Sequence, residues 1–186
     1  MAKTYPVFQL RLRLEGTNPV VWRRLLVPGQ VFLPTLHSIF QEAMGWRDSH
    51  LHQLRVGDSL YGMHVEDWEE IDEDEVDEAE VSVFDAFHDE RRGVYDYDFG
   101  DSWHHEVIVE SEWSIPKPLK HAVCVDGENR CPPEDVGGVH GYREFLAAIA
   151  DPAHDEHESW LTWAGGSFDP EAFDVAAVNA ALQRLR

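Results

Sequence analysis

The feature that most constrains the fold of this chain is residues 94–110, VYDYDFGDSWHHEVIVE, where two alternating runs flank a Gly-Asp-Ser turn signal. This pattern predicts a β-hairpin. A three-residue loop at 100–102 pairs Phe99 with Trp103 and sets Asp98 opposite His104. A two-residue loop would turn one strand over and mix aromatic side chains with carboxylates on both faces. We therefore predict the three-residue loop and a hairpin with two unlike faces.

The two predicted faces of this hairpin differ in chemistry. One collects the aromatic and aliphatic side chains that a core requires, namely Tyr95, Tyr97, Phe99, Trp103, Val107 and Val109. The other collects titratable groups, namely Asp96, Asp98, His104 and Glu106. The first face is predicted to be buried, because antiparallel sheets commonly turn one face to the core and one to solvent. The second face marks a candidate site without identifying an activity.

The rest of the chain reads as strands first and helices later. Strict alternation over 7–14, followed by a turn and a second run over 20–27, predicts another hairpin. Helical spacing of apolar residues predicts helices at 34–44, 139–150, 153–163 and 170–185. This order indicates an α+β fold, with helices packed on one face of a mostly antiparallel sheet and a helical C-terminal third. The length of 186 residues predicts a single domain over 1–186.

A further strand is predicted at 50–56, where alternation resumes after the first helix. His50 and His52 fall on one face of it, an arrangement that suits two metal ligands. No third ligand lies nearby in sequence, so a polar strand face is the simpler interpretation.

The negative charge of the chain limits the partners that it can bind. The formal net charge is −21, and residues 66–80 carry 11 of the 36 acidic residues. An acidic segment of this kind cannot bury enough apolar surface to order itself, which predicts a mobile loop near 65–80. Phosphate backbones repel so acidic a surface, and direct nucleic-acid binding is therefore disfavoured.

The expected location is the cytoplasm. No apolar run approaches the ~20 residues that a membrane span needs, and residues 1–6 lack the apolar core of a signal peptide. Two cysteines without an export signal favour a reduced compartment. We therefore expect a protein or a small molecule as partner, and no membrane.

The order of short motifs along the chain resembles that of the plasmid pRiA4b ORF-3-like family, which is related to TnpR-type passenger proteins of some insertion elements. The resemblance covers almost the whole length. Its motifs are NPVVWRR at 18–24, LH at 36–37, AMGW at 43–46, HLH at 50–52, YDFGDSW at 97–103, CPPED at 131–135, GG at 137–138, GY at 141–142, DP at 151–152 with His154 and His157, and DPEAFD at 169–174. The resemblance implies an α+β fold and a plasmid or mobile-element setting, and it implies no known reaction. At Val136 the chain departs from the Cys-Gly-Gly pattern of many relatives.

Two cysteines and two histidines form the first candidate site. Cys124 and Cys131 lie on either side of a glycine-containing turn, while His154 and His157 are spaced i, i+3 on a predicted helix. Two thiolates and two imidazoles suit a tetrahedral Zn²⁺ site. The spacing of the cysteines is wider than in the usual Cys-x-x-Cys knuckle, and two small buried thiols are the alternative interpretation.

A set of carboxylates and one histidine forms the second candidate site. Its members come from the hairpin and from the Pro-Pro-Glu-Asp turn: Asp96, Asp98, Asp101, His104, Glu134 and Asp135. Convergent carboxylates with a histidine suit Mg²⁺ or Mn²⁺ binding, or general acid and base catalysis. The structural alternative is a cross-strand Asp–His pair together with a loop aspartate that caps the turn.

Two functions of different class follow from these sites. The first is a non-catalytic binding or interaction module for a protein or a small molecule. The second is a metal-dependent hydrolase or nuclease that uses the hairpin carboxylates. The sequence contains no glycine-rich phosphate loop, nucleophile elbow or His-Glu-x-x-His motif. The absence of these signatures and the negative charge favour the binding module.

Overall fold

The computed structural model describes residues 3–63 and 75–185, and its elements form one eight-stranded sheet with helices. The strands are β1 Tyr5–Leu14, β2 Trp22–Pro28, β3 His52–Val56, β4 Ser59–Gly62, β5 Glu75–Asp77, β6 Arg92–Tyr97, β7 Trp103–Ile115 and β8 Val123–Glu128. The α-helices are α1 Leu33–Met44, α2 Val83–Phe87, α3 Gly138–Ala150, α4 His157–Trp163 and α5 Val175–Leu182. A short 3-10 helix, Glu78–Glu80, follows β5.

The sheet order is β5-β4-β3-β6-β7-β1-β2-β8. Every neighbouring pair is antiparallel except β4 and β5, which are parallel. The predicted α+β class with a mostly antiparallel sheet and a helical C-terminal third is therefore confirmed. No helix in the described ranges is long and apolar enough to cross a membrane.

The apolar face of the sheet is set by alternation along its long central strands. In β1, Phe8, Leu10 and Leu12 are fully buried, while Arg11 and Arg13 alternate with them on the other face. Residues of α1, α2, α3 and α5 belong to the same core cluster as these strand residues. Burial of the apolar side chains of these strands and helices is the main force that holds the helices against the sheet.

The central hairpin has its predicted faces but not its predicted loop. Tyr97 pairs with Trp103, and Asp96 pairs with His104, so residues 98–102 form a five-residue loop. The prediction of a three-residue loop was wrong by two positions. Phe99, expected in the core, is 54% exposed, whereas Asp98, expected on the outer face, is only 7% exposed.

The acidic segment is described in part. Residues 64–74, on which most of the predicted mobile loop falls, lie outside the described ranges. Residues 75–80 form β5 and the 3-10 helix at the edge of the described sheet. Glu78 is buried there, and its carboxylate lies 3.0 Å from Nε2 of His52. These last residues are therefore part of the fold, although their composition predicted a loop.

The three C-terminal helices are present, α3 within one residue of its prediction, while α4 and α5 begin later than predicted. The helix expected at 170–185 starts at Val175, because Asp174 caps it by accepting hydrogen bonds from the Ala176 and Ala177 amides. Asp169, which precedes the predicted start, accepts from the Glu171 amide in a turn. Asp151 likewise accepts from the Ala153 amide, and α4 starts only at His157. An Asp-Pro pair thus marks a turn at both places, since aspartate caps turns as well as helices.

Candidate functional site

The candidate site forms where the hairpin loop 98–102 meets the turn 134–137 that precedes α3. The Gly137 amide donates a hydrogen bond to Oδ2 of Asp101 at 3.0 Å. Gly138 has φ +65°, and a Cβ built on it would lie 2.4 Å from the carbonyl oxygen of Asp101. Only glycine fits this approach of two backbones. The contact holds the two acidic loops side by side.

Asp98 is turned inward by the backbone of the hairpin loop. Its φ is 56°, in the left-handed region that aspartate tolerates better than most residues. Its Oδ1 accepts hydrogen bonds from the amides of Gly100 and Asp101, at 2.9 and 3.2 Å. These bonds fix the carboxylate and leave Oδ2 facing Nε2 of His50, at 3.6 Å.

His50 joins the two loops. Its Nε2 lies 3.1 Å from Oδ1 of Asp135 and 3.6 Å from Oδ2 of Asp98. The Nε2 atom is shielded from solvent, and no neighbour among the described residues meets it with hydrogen-bond geometry. Across residues 3–63 and 75–185, these three side chains are the one group of three or more His, Cys, Asp or Glu residues with ligand atoms within 4.8 Å of one another. We refer to them as the His-Asp-Asp group.

Hydrogen bonds of Tyr97 and Glu134 connect the chain segments next to this group. The Tyr97 hydroxyl donates to Oε1 of Glu134 at 2.7 Å and accepts from the Ser49 amide at 3.0 Å. The same Oε1 accepts from the Arg47 amide at 3.1 Å. Burial, followed by the hydrogen bond to Glu134, raises the pKa of the Tyr97 phenol, so the hydroxyl remains a donor at neutral pH. The segment that carries His50 is thereby tied to both the hairpin and the turn.

A cleft of about 750 Å³ opens beside the group, and we call it the main cleft. Its walls are the end of α1, the loop 130–135 and the C-terminal segment around α5. Its aromatic lining consists of Trp46, Trp163, Phe168 and Phe173. Trp46 is buried, and its Nε1–H donates to the carbonyl of Pro132 at 2.9 Å. Trp163 is 47% exposed, and its ring packs against Phe145 and Trp160.

Arg23 holds the floor of the main cleft. Its guanidinium donates to the carbonyl oxygens of Trp22, Ala43, Glu128 and Asn129, all at 2.8–2.9 Å. These bonds join β2, the end of α1 and the end of β8. Burial lowers the pKa of the Arg23 guanidinium, yet an arginine remains charged because its ordinary pKa is so high. The floor is therefore rigid and positively charged.

A second, smaller cleft of about 570 Å³ has His50 and Asp98 in its wall. Its remaining lining includes Leu51, Met63 and Phe99, which are exposed by 40%, 45% and 54%. Residues of the group thus line two clefts, one with aromatic walls and one with exposed apolar side chains.

Two buried histidines lie behind the site. The rings of His37 and His52 stack with centroids 3.5 Å apart. Nδ1 of His37 is 2.7 Å from the Tyr95 hydroxyl, and its Nε2 is 2.7 Å from Oδ1 of Asp48. Burial and then the neighbouring His52 lower the pKa of His37. These residues form a packed polar layer beneath the segment that bears His50.

The structure divides the predicted carboxylate set in two. Asp98, Asp101, Glu134 and Asp135 come together at the meeting of the two loops. Asp96 and His104 pair with each other across β6 and β7 and remain outside the His-Asp-Asp group. The predicted partner of His104 was Asp98, and the structure corrects it to Asp96.

The four predicted zinc ligands are not assembled into such a group among the described residues. Cys124 and Cys131 are buried, unbridged thiols, and burial raises the pKa of both. Nδ1 of His157 bonds to the carbonyl of Ala148 at 2.9 Å, and Nδ1 of His154 accepts from the Glu156 amide. The two histidines thus serve the backbone of α3 and α4.

Sequence reasoning missed His50 as a member of the site. The His50-Leu-His52 pair was visible, but both residues were placed on one strand. In the structure β3 begins at His52, so His50 precedes the strand and turns toward the loops while His52 enters the core. The available signal was the pair itself, and the partners of His50 come from distant parts of the chain.

Comparison with known proteins agrees with the fold and carries no assigned reaction. The model of the family described as plasmid pRiA4b ORF-3-like protein matches residues 6–177. An uncharacterised protein, y4hQ of Sinorhizobium fredii, is 37% identical over 182 residues, which cover 96% of this chain and 92% of that protein. The crystal structure of MM3350, a protein of unknown function from Methanosarcina mazei Go1, has a TM-score of 0.83 at 32% identity, covering 92% of this chain and 97% of that one. The chain therefore belongs to the plasmid pRiA4b ORF-3-like family.

Proposed function

We propose that this protein is a non-catalytic binding module and that its main cleft takes up a small organic molecule with a flat, aromatic part. The observation that carries the proposal is the composition of the cleft, in which one aromatic side chain that follows α1 and three from residues 163–173 line a volume of about 750 Å³. Small-molecule sites in proteins commonly occupy ~300–1,000 Å³ and combine apolar walls with a few placed polar groups.

Polar groups accompany these aromatic walls. The guanidinium of Arg130 lies 4.4 Å from the ring centroid of Phe168, and that of Arg23 lies 4.4 Å from the ring centroid of Phe173. A guanidinium stacked on an aromatic ring can still donate hydrogen bonds from its edge. Arg23 already donates to four backbone carbonyls, so Arg130 is the donor that we expect to serve a ligand. Glu42 and Glu134 supply acceptors to the same cleft. The cleft therefore offers stacking surface together with both donors and acceptors.

Hydrolysis is less well supported than binding. Asp96 and His104, two of the residues on which the hydrolase hypothesis rested, pair with each other away from the His-Asp-Asp group. The family and both relatives carry no stated reaction. We also infer a cytoplasmic location, which the two unbridged thiols support. Direct nucleic-acid binding remains disfavoured by the net charge of −21.

The test is a ligand-observed NMR screen with simple aromatic probes, starting from benzoate, indole-3-acetate and tyramine. The Trp163→Ala variant should weaken the binding of any hit by about tenfold, because one stacking ring contributes roughly 1–1.5 kcal/mol. Trp113→Ala is the matched control, since Trp113 is also partly exposed but lies on β7 outside the cleft. Equal affinities in the two variants, or no hit with the native protein, would contradict the proposal.

A further inference from the structure

We propose that the His-Asp-Asp group binds one divalent cation of the first transition row through Nε2 of His50, Oδ2 of Asp98 and Oδ1 of Asp135. The site is independent of the aromatic ligand proposed for the main cleft, and each proposal can fail without the other. The argument rests on the spacing of the three atoms, the direction in which they face, and the way the fold holds them.

The spacing of these three atoms fits ligands that share one ion. Zinc and similar cations bind imidazole nitrogen and carboxylate oxygen at ~2.0–2.2 Å, so neighbouring ligand atoms around one ion are roughly 3.0–3.6 Å apart. The distances from Nε2 of His50 to Oδ1 of Asp135 and Oδ2 of Asp98 are 3.1 and 3.6 Å, and each of the three residues offers a ligand atom within 4.8 Å of the other two. A single ion therefore reaches all three after small adjustments.

The direction of the imidazole favours a shared ion over an ordinary ion pair. In an ion pair the ring N–H would point at a carboxylate oxygen, but Nε2 of His50 meets neither oxygen with hydrogen-bond geometry, even at 3.1 Å from Asp135. Such off-axis oxygens are expected around a shared cation. The cation lies on the axis of the nitrogen lone pair, and the two carboxylate oxygens bind the cation from other directions. The Nε2 atom is also shielded from solvent, so water does not satisfy it.

Asp98 supplies a buried carboxylate, one oxygen of which faces His50. The residue is only 7% exposed, and an ionised carboxylate at such depth needs compensation. Two backbone amides donate hydrogen bonds to Oδ1, while Oδ2 accepts no hydrogen bond from the described residues and faces His50. The two amides hold the carboxylate in place, as groups that support metal ligands commonly do.

The ligand chemistry selects among cations. One imidazole with two carboxylates suits Mn²⁺, Zn²⁺ or Fe²⁺ better than Ca²⁺ or Mg²⁺, which prefer sites built from oxygen alone. Three protein ligands leave further positions to water or to an exogenous ligand. The group borders both clefts, since Asp135 lines the first and His50 and Asp98 line the second.

The test uses the full-length protein and Mn²⁺ alone. Isothermal titration should show one Mn²⁺ ion bound per chain, and Asp98→Asn and Asp135→Asn should each weaken binding at least about tenfold. Both positions have positive φ, 56° and 60°, and asparagine tolerates that region as aspartate does. The side-chain amide introduced by Asp98→Asn also keeps an oxygen for the Gly100 and Asp101 amides. These variants therefore remove ligand charge while they preserve the loops, which circular dichroism and thermal unfolding verify.

Asp96→Asn is the matched control, because Asp96 also pairs with a histidine but the described residues offer the pair no third ligand. It should bind Mn²⁺ as the native protein does. Paramagnetic broadening in NMR spectra locates the ion, and the Gly100 and Asp135 amide signals should broaden first. The proposal is overturned if no Mn²⁺ binds at millimolar concentration, if both Asn variants bind as tightly as the native protein, or if broadening is confined to the acidic residues 66–74.

Discussion

Among single residues, Trp103 and Phe99 report most directly on the hairpin. Trp103 is 1% exposed and packs against Trp46, whereas Phe99 is 54% exposed. We predict that Trp103→Ala lowers the free energy of unfolding by ~3–5 kcal/mol, because a large buried ring leaves a cavity. Phe99→Ala should cost less than about 1 kcal/mol. Urea denaturation of both variants measures the difference, and equal costs would favour the three-residue loop over the observed one.

His105 makes stability depend on pH. Its ring is fully buried, and burial lowers the pKa of the imidazole from 6.5 to about 4. Between these two values the unfolded chain binds a proton that the folded chain does not. Above pH 6.5 the ring is neutral in both states, and the free energy of unfolding does not depend on its titration. As the pH falls from 6.5 toward 4, protonation of the unfolded chain lowers the free energy of unfolding by up to about 1.4 kcal/mol per pH unit.

The measurement for His105 is urea denaturation at several pH values from 7 to 4. We expect the native protein to lose stability more steeply in this range than His105→Asn, which cannot titrate. The comparison concerns slopes, so the cost of the substitution itself does not enter. Parallel profiles for the two proteins would show that His105 is charged or hydrated in the folded state.

The residues of the candidate site were only partly accessible from sequence. Asp98, Glu134 and Asp135 were predicted as members because carboxylates clustered in two short motifs. His50 was not assigned, since its partners are 48 and 85 positions away and its direction depends on where β3 begins. Local patterns indicate which residue types are present, but the meeting of two loops is a long-range event.

Among elements, the hairpin shows what alternation can and cannot determine. Its period of two assigns each side chain to a face, and those assignments held for Tyr95, Tyr97 and Trp103. Shifting the pairing by two residues preserves every face, so a three-residue and a five-residue loop predict the same pattern. The choice between the two loops depends on Asp98, whose backbone adopts a left-handed conformation and whose carboxylate accepts two amide hydrogen bonds.

Helix α1 was predicted within one residue, because its apolar stripe is long and a glycine ends the helix.

Contact between the hairpin loop and α3 can be tested through two glycines. Gly138 and Gly165 both have positive φ, but a Cβ on Gly138 would lie 2.4 Å from the Asp101 carbonyl oxygen, whereas a Cβ on Gly165 would meet nothing within 4 Å. Gly165→Ala should cost only the ~1–2 kcal/mol of the left-handed conformation. Gly138→Ala should cost a further ~1–3 kcal/mol, because the loops must separate. Thermal unfolding of the two variants, if equal, would argue against the close contact.

At the scale of the whole molecule, the single domain predicted from length remains a prediction. One continuous sheet and one core cluster that draws on four of the helices favour it. We expect tryptophan fluorescence, which reports on the core, and far-ultraviolet circular dichroism, which reports on helices and strands, to give the same midpoint in guanidinium chloride. Two separate transitions would indicate that the C-terminal helices unfold as a unit of their own.

The acidic strand at the edge of the described sheet bears on how copies of this chain behave in concentrated solution. An edge strand presents unpaired backbone groups on which another chain can add a strand, a common route to aggregation. Here the edge is β5, only Glu75–Asp77, and two of its three residues are acidic. Two copies that approached edge to edge would set carboxylates against carboxylates, which is destabilising. The negative charge that keeps the acidic segment out of the core thus also disfavours self-association at this edge.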